Sequence, residues 1–234
     1  MDFKEIKGFE QQKRALEVAA AGAHPILIIG GMGTGKTMLT EALLTITDVP
    51  VVVYEGITDF SKPQREKVWD EIKANVRHVI CTTLPCPCGQ LFSNRLKCIC
   101  SATEVKKQWL KFAGATDLIG IHIHTRALGQ EDIAYKGVIE DSATVKKRVM
   151  EAQTLVDNTY GGLAQHLTTT DLAAVKMNDT AAALLKNAYE KLGFTTGQRE
   201  NVIRIAVSIA ALYGRTALEA RDIAEAVQYT GGRP

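Results

Sequence analysis

An α/β fold on a parallel sheet, followed by an all-helical C-terminal part, is the class the sequence predicts. Three observations carry it. Short apolar runs without alternation recur through the first half of the chain, as strands buried on both faces require. Between them lie segments that open on helix-capping boxes and repeat apolar residues at helical spacing. After about residue 130 the strand signals stop and only helical ones follow. At 234 residues, 46% hydrophobic and 23% charged, the chain can bury a core and is neither rod-like, collagen-like nor disordered. A net charge of +2 gives no global field for nucleic acid or an anionic membrane, although local basic patches remain open.

The elements follow in order. Residues 9–22 read as a helix with Ala15, Leu16, Ala19 and Ala20 on one side, ended by Pro25. Residues 26–29, all Ile or Leu, are a buried strand, and residues 38–46 continue as a helix. Residues 49–54 form a second strand. Ser61 and Gln64 box the start of a helix to residue 76. Residues 79–83 are a third strand, with Cys81 in the core. Ser101 and Glu104 cap a helix whose Ala102, Val105, Trp109 and Leu110 share a face. Residues 118–125 are a fourth strand, on which His122 and His124 share a face over the sheet or a subunit boundary. Helices are then expected at 142–156, 180–192, 198–213 and 217–229, with Gly193 and Gly214 at helix ends and boxes at Thr195/Gln198 and Thr216/Glu219. The change of character falls within residues 128–140.

Asp2 and Glu5 at the start are not a secretory signal, and the most apolar stretch, residues 15–29, is interrupted by Glu17, His24 and Pro25. A soluble, cytoplasmic protein without membrane association is expected. In a reducing compartment five cysteines point to metal or packing rather than disulfides.

One segment carries chemistry plainly. Gly30-Gly31-Met32-Gly33-Thr34-Gly35-Lys36-Thr37 matches G-x-x-x-x-G-K-[ST] between a buried strand and a helix. The glycines let backbone amides converge on a polyphosphate. Lys36 is placed for the β/γ-phosphates, Thr37 for Mg²⁺, and the helix start, with Met38, adds its dipole. ATP and Mg²⁺ are the expected cofactors. A second constellation, Cys86-x-Cys88 and Cys98-x-Cys100, offers four soft ligands suited to Zn²⁺. The pairs are closer than the usual spacing, and the alternative of metal-free thiols stays open.

Further text gives a family. Asp2-Phe3-x-x-Ile6-x-Gly8, Gln11-x-Lys13-Arg14-Ala15-Leu16-Glu17 and Ala19-Ala20-Ala21-Gly22-x-His24 precede the phosphate loop. Pro85-Cys86-Pro87-Cys88-Gly89, Cys98-x-Cys100-Ser101, Ile203-Arg204-Ile205-Ala206 and Ile223-Ala224-Glu225-Ala226-Val227-Gln228-Tyr229 follow it. Over nearly the whole chain this resembles the magnesium chelatase subunit I-like AAA+ ATPases, on the ComM (YifB) branch. The resemblance implies a P-loop AAA+ nucleotide-binding domain over residues 1–131 and a helical, chelatase-type domain over 132–234. It implies ring-forming oligomers, alone or with active relatives, and DNA branch migration or recombination. A regulatory subunit of a related ring and a chelatase-type motor are the other readings. Against the family pattern, an N-terminal Lon-like domain is expected to be absent, and the stretch from Lys36 to Cys86 is short.

The catalytic positions also depart from the pattern. Glu55 stands at the family's metal-facing Asp, with a plain strand-end acid an equal alternative, and it is the one candidate catalytic carboxylate. Gly56 stands at the water-positioning Glu, Leu84 at the polar sensor, Leu118 at the arginine finger and Gly197 at the lid-helix arginine. Thr82 or Thr83, and Arg199 or Arg204, are the nearest replacements. His24 is expected near the adenine. Binding of ATP with weak or absent hydrolysis is therefore expected, with an active ATP-driven DNA motor as the alternative. Lys106, Lys107, Lys111, Lys146, Lys147 and Arg148 form local basic clusters that read as solvated helix faces.

Overall fold

The computed structural model describes residues 1–112, 115, 117–133 and 140–230. Four parallel strands form the sheet: β1 Ile26–Gly30, β2 Val51–Tyr54, β3 His78–Thr83 and β4 Ile121–Thr125, in the order β2-β3-β1-β4. Central β1 is buried along its whole length. It is in register with β3 through Ile26–Ile80 and Ile28–Thr82, and with β4 through Ile26–Ile121 and Ile28–Ile123. Each fully buried isoleucine or leucine here contributes about 1.5–3 kcal/mol over an exposed one.

The two faces of the sheet carry different layers. Leu27, Ile29, Val79 and Cys81 face Val68, Trp69 and Ile72 of α3 (Lys62–Ala74), with Phe112 completing that core. Ile26, Ile28, Ile80, Ile121 and Ile123 face α1 (Glu10–Gly22) and α2 (Lys36–Thr45). The C-terminal helices join this second core: α6 Ser142–Tyr160, α7 Thr169–Ala174, α8 Asp179–Leu192, α9 Thr196–Leu212 and α10 Ala220–Thr230. In the chain, α4 Ala102–Trp109 lies between β3 and β4, and the short α5 Gln130–Ile133 follows β4. Buried α9 packs on α1, α6 and α10, so the helical region and one sheet face share a continuous apolar cluster. Residues 134–139, inside the expected boundary region, lie outside the described residues. Among the described residues no helix is long and apolar enough to cross a membrane.

Several local expectations need correcting. Residues 118–120 are not strand. Gly120 lies against Asn201 and Ile205 of α9, where a Cβ would meet the Ile205 side chain at 3.3 Å, and pairing starts at Ile121. Leu110 is exposed, because α4 gives way at Trp109 to a 3₁₀ turn that sends Phe112 inward instead. On α4 it is Gln108 that is buried, donating to the Leu84 carbonyl at 2.6 Å. No Thr216/Glu219 box forms. The Glu219 amide donates instead to Asp222 Oδ2 at 2.8 Å, and α10 begins at Ala220. The short α7 went unpredicted; it opens on its own box, Thr168 with Asp171.

Candidate functional site

Because β1 lies between β3 and β4, the loops leaving the carboxyl ends of these strands meet. They are the phosphate loop (residues 30–35), the cysteine segment (84–101) and residues 126–129 after β4. Two phosphate-loop glycines are forced by these neighbours. A Cβ on Gly30 would lie 1.9 Å from Thr125 Oγ1, and one on Gly31 2.7 Å from the Gly89 carbonyl oxygen. Thr34 donates to the Gly31 carbonyl at 2.9 Å, and its hydroxyl lies 2.7 Å from that of Thr125, tying loop to β4. Gly33 and Gly35 take positive φ of 70° and 90°, conformations that favour glycine.

Half-buried Lys36 opens α2, its ammonium donating to the carbonyls of Gly30 at 2.8 Å and Gly31 at 2.6 Å. Burial holds its pKa below the ordinary lysine range, and the charge of Glu55 draws it partly back. That coupling places Glu55, exposed just beyond β2, within electrostatic reach of the lysine. Thr37 and Met32 are exposed and Met38 is half-buried. The amide-lined loop, its lysine and the side chain of Thr37 together fit a magnesium-bound triphosphate.

Sequence reasoning missed Phe9. It is buried at φ 60°, strained for a non-glycine, and its ring lies against Gly35, where a Cβ would meet Cζ at 3.2 Å. The signal available was Gly8 before it, also at positive φ.

The substitutes considered for the catalytic groups are engaged elsewhere. The Gly56 amide donates to Thr82 Oγ1 at 3.2 Å, and the buried hydroxyls of Thr58 and Thr83 lie 3.0 Å apart. These threonines fasten β3 to the turn after β2. Gly197 lies against Asp117, at the amino end of β4 and therefore at the opposite sheet edge from the phosphate loop; a Cβ there would meet Asp117 Cβ at 2.9 Å. Arg204, on the same helix, donates to the Leu167 carbonyl and Glu200, and Arg199 is exposed at that end too. Nor does His24 border the phosphate loop. Buried at the amino end of β1, it lies 3.0 Å from Gln165 Oε1 and 2.8 Å from Ser208 Oγ. Burial pushes its pKa down to about 3.

The cysteines do converge. The four Sγ atoms of Cys86, Cys88, Cys98 and Cys100 lie within 4.8 Å of one another, and Cys86, Cys88 and Cys98 are mutually 3.5–3.6 Å apart. A disulfide is far shorter, whereas a zinc tetrahedron with Zn–S near 2.3 Å sets its sulfurs about 3.8 Å apart. The amides of Ile99 and Gln90 pull the Cys88 thiol down to about 6. Cys100, though the amide of Cys88 favours its thiolate, is pushed up to about 12 by burial and the neighbouring thiols. Four thiolates this close repel, and a divalent cation removes that cost. Cys81 is apart, in the core of β3, its thiol raised by burial. Half-buried His122 and His124 lie on the face shared with Leu27 and Ile29, and His124 meets Phe92 edge to face at 5.3 Å.

A parallel sheet carrying a phosphate loop at the end of its central strand, followed by a helical C-terminal region, defines a P-loop protein of the AAA+ class. Family comparison is more specific. The model described as magnesium chelatase, subunit ChlI, matches residues 2–62, and that of the ChlI C-terminal region matches residues 139–230. The chain belongs to the magnesium chelatase ChlI-like family, in the ComM (YifB) group. It is similar to competence protein ComM of Haemophilus influenzae, 22% identical over an alignment covering 98% of this chain and 60% of that protein. It also resembles the uncharacterized protein YifB of Salmonella typhimurium and of Escherichia coli, 55% and 52% identical over 42 residues, 18% of this chain and 8% of each relative. The chain thus spans less than two thirds of the length of these relatives.

Proposed function

We propose that this chain binds Mg·ATP on residues 30–38 and hydrolyses it weakly or not at all, as a cytoplasmic AAA+ subunit of a homo-oligomeric or mixed ring. The observation that carries the reading is the contrast between an intact cradle and absent catalytic side chains. Lys36 is held inside a loop whose glycines are sterically required, while Gly56 follows Glu55 where a water-positioning acid belongs. When bound, the nucleotide supplies a transferable phosphoryl group. The chain's own residues would bind and orient it: amides of residues 31–37 would hold the phosphates, Lys36 would neutralise them, and Thr37 and Glu55 would hold Mg²⁺. Leu118 offers no finger charge, and in related enzymes such an arginine is worth ~10³–10⁵ in turnover.

The four-cysteine cluster takes Zn²⁺ in this reading. Action on DNA is supported by the likeness to a competence protein and by exposed Lys106 and Lys107. Of the other clustered basic residues, Arg148 is committed to Glu17 and Glu140, Lys146 to Asp48 at 2.5 Å and Lys111 to the Thr58 carbonyl at 2.5 Å, while Lys147 is exposed beside Glu151.

Calorimetric titration with Mg·ATP alongside phosphate release, with and without branched DNA, tests the proposal. Wild type is expected to bind nucleotide with negligible turnover, and Lys36→Ala to lose at least tenfold in affinity. Turnover at ~1 s⁻¹ or above that Lys36→Ala abolishes means an active motor and ends the inactive reading.

A further inference from the structure

We infer that the four-cysteine segment is a wall of the phosphate loop, so that a divalent metal on Cys86, Cys88, Cys98 and Cys100 raises the affinity of that loop for nucleotide. The inference rests on the nucleotide-binding reading above and adds its regulation.

The contact is backbone on backbone. The Gly89 amide donates to the Cys86 carbonyl at 2.9 Å, closing a tight turn that holds two of the four thiols, Cys86 and Cys88. The turn leaves the Gly89 carbonyl packed on Gly31, so closely that no side chain fits at Gly31. Gly31 is also an acceptor for Lys36 and for Thr34, so its position sets the inner surface of the cradle. Whatever fixes the turn from Cys86 to Gly89 therefore fixes Gly31.

Little else fixes it. Residues 84–101 form no helix or strand; Pro85, Cys86 and Gly89 are buried at the base, but beyond them the apolar side chains build no core: Ile99 is 86% exposed, and Leu96 and Phe92 are exposed too. The segment is pinned at its base, where Gln108 and Trp109 donate to the carbonyls of Leu84 and Pro85, and across its tip, where Asn94 and Arg95 reach the carbonyls of Ala127 and Leu128. Between these anchors, among the described residues, it is the thiol cluster that joins residues 86–88 to residues 98–100, with sulfurs near tetrahedral spacing. A cavity of about 270 Å³ separates the segment from the phosphate loop, bordered by Gly31, Met32, Gly89, Phe92, Arg95 and Arg126. Without metal, nothing clamps residues 86–88 to residues 98–100, the turn loosens, and the amides of the cradle lose their fixed geometry. Ordering the loop must then be paid from nucleotide binding energy.

Linkage makes the effect reciprocal: nucleotide must tighten metal by the same factor. The test uses the full chain loaded with Co²⁺, whose thiolate absorption reports occupancy, and the same chain stripped with a thiol-mercurial reagent and re-reduced, its fold checked by circular dichroism. Mg·ATP affinity is measured on both, and release of Co²⁺ to a competing chelator is timed with and without Mg·ATP on the loaded protein, which needs no folded metal-free state. Expected are at least tenfold weaker nucleotide binding after stripping and a matching slowing of Co²⁺ release by Mg·ATP. Lys36→Ala should keep the cobalt spectrum and lose the slowing. Equal nucleotide affinity in loaded and stripped protein, with no slowing, overturns the coupling while leaving nucleotide binding intact. Failure to take up Co²⁺ or Zn²⁺ in a protein that binds Mg·ATP overturns it as well. A loaded protein that binds no Mg·ATP refutes the nucleotide reading itself, and this inference with it.

Discussion

Asp222 is wholly buried, and its carboxylate accepts both terminal nitrogens of Arg215, at 2.9 and 2.7 Å, and the Glu219 amide at 2.8 Å. Removing the arginine leaves a buried charge with one amide partner, a loss of about 3 kcal/mol. Arg215→Ala should lower the urea midpoint accordingly, whereas Arg221→Ala, an exposed neighbour in the same turn, should change it by less than about 0.5 kcal/mol. Phe9 argues the other way about sequence legibility. Nothing in its residue type predicts a strained backbone under a phosphate loop, because the demand comes from Gly35 and the packing around it. Truncation by Phe9→Ala should cost about 3 kcal/mol in stability and weaken nucleotide binding, read by thermal melts with and without Mg·ATP.

At the scale of elements the caps were the most readable signal. Ser61/Gln64, Ser101/Glu104 and Thr195/Gln198 all form the reciprocal boxes that their spacing predicts. Since α9 is buried along most of its length, its start matters to the whole domain. Thr195→Ala should destabilise the protein by about 1 kcal/mol, and Ser101→Ala, at the start of short and mostly exposed α4, by less. Equal losses measured by chemical denaturation would contradict this ranking. The failed box at Thr216/Glu219 shows the limit of spacing alone: Asp222 competes for the Glu219 amide and wins, because it is also fixed by Arg215. Likewise the apolar run before β4 looked like strand, but Gly120 abuts α9 while Leu118 and Ile119 pack into the core with Trp69 and Phe112, and pairing with β1 begins only at Ile121.

The whole molecule stores a pH dependence in its histidines. His24 and His78 are buried near one another at the amino ends of β1 and β3, and His24 also feels Arg204 and His166. Burial holds their pKa values near 3 and 4, against about 6.5 in the unfolded chain. The unfolded state therefore binds more protons between pH 6.5 and 4. Stability is complete above pH 6.5 and falls as acid takes the pH through that window, by up to about 1.4 kcal/mol per pH unit for each histidine. His78→Leu should flatten the acid limb of a urea-midpoint profile by about one proton; an unchanged slope would show that His78 is already protonated in the fold.

The sequence by itself determined the periodic and the local. Buried strands, capped helices, the phosphate loop and the family were written in runs of a few adjacent residues, since each depends on backbone conformation or on side chains one turn apart. Only the tertiary structure decided which loops meet. The strand order set Gly89 on Gly31, gathered four thiols from two segments, sent His24 and α9 to the far edge of the sheet, and engaged Arg204 away from the phosphates. Such contacts join residues distant in the chain, and their energies depend on what else packs there, which no local pattern encodes.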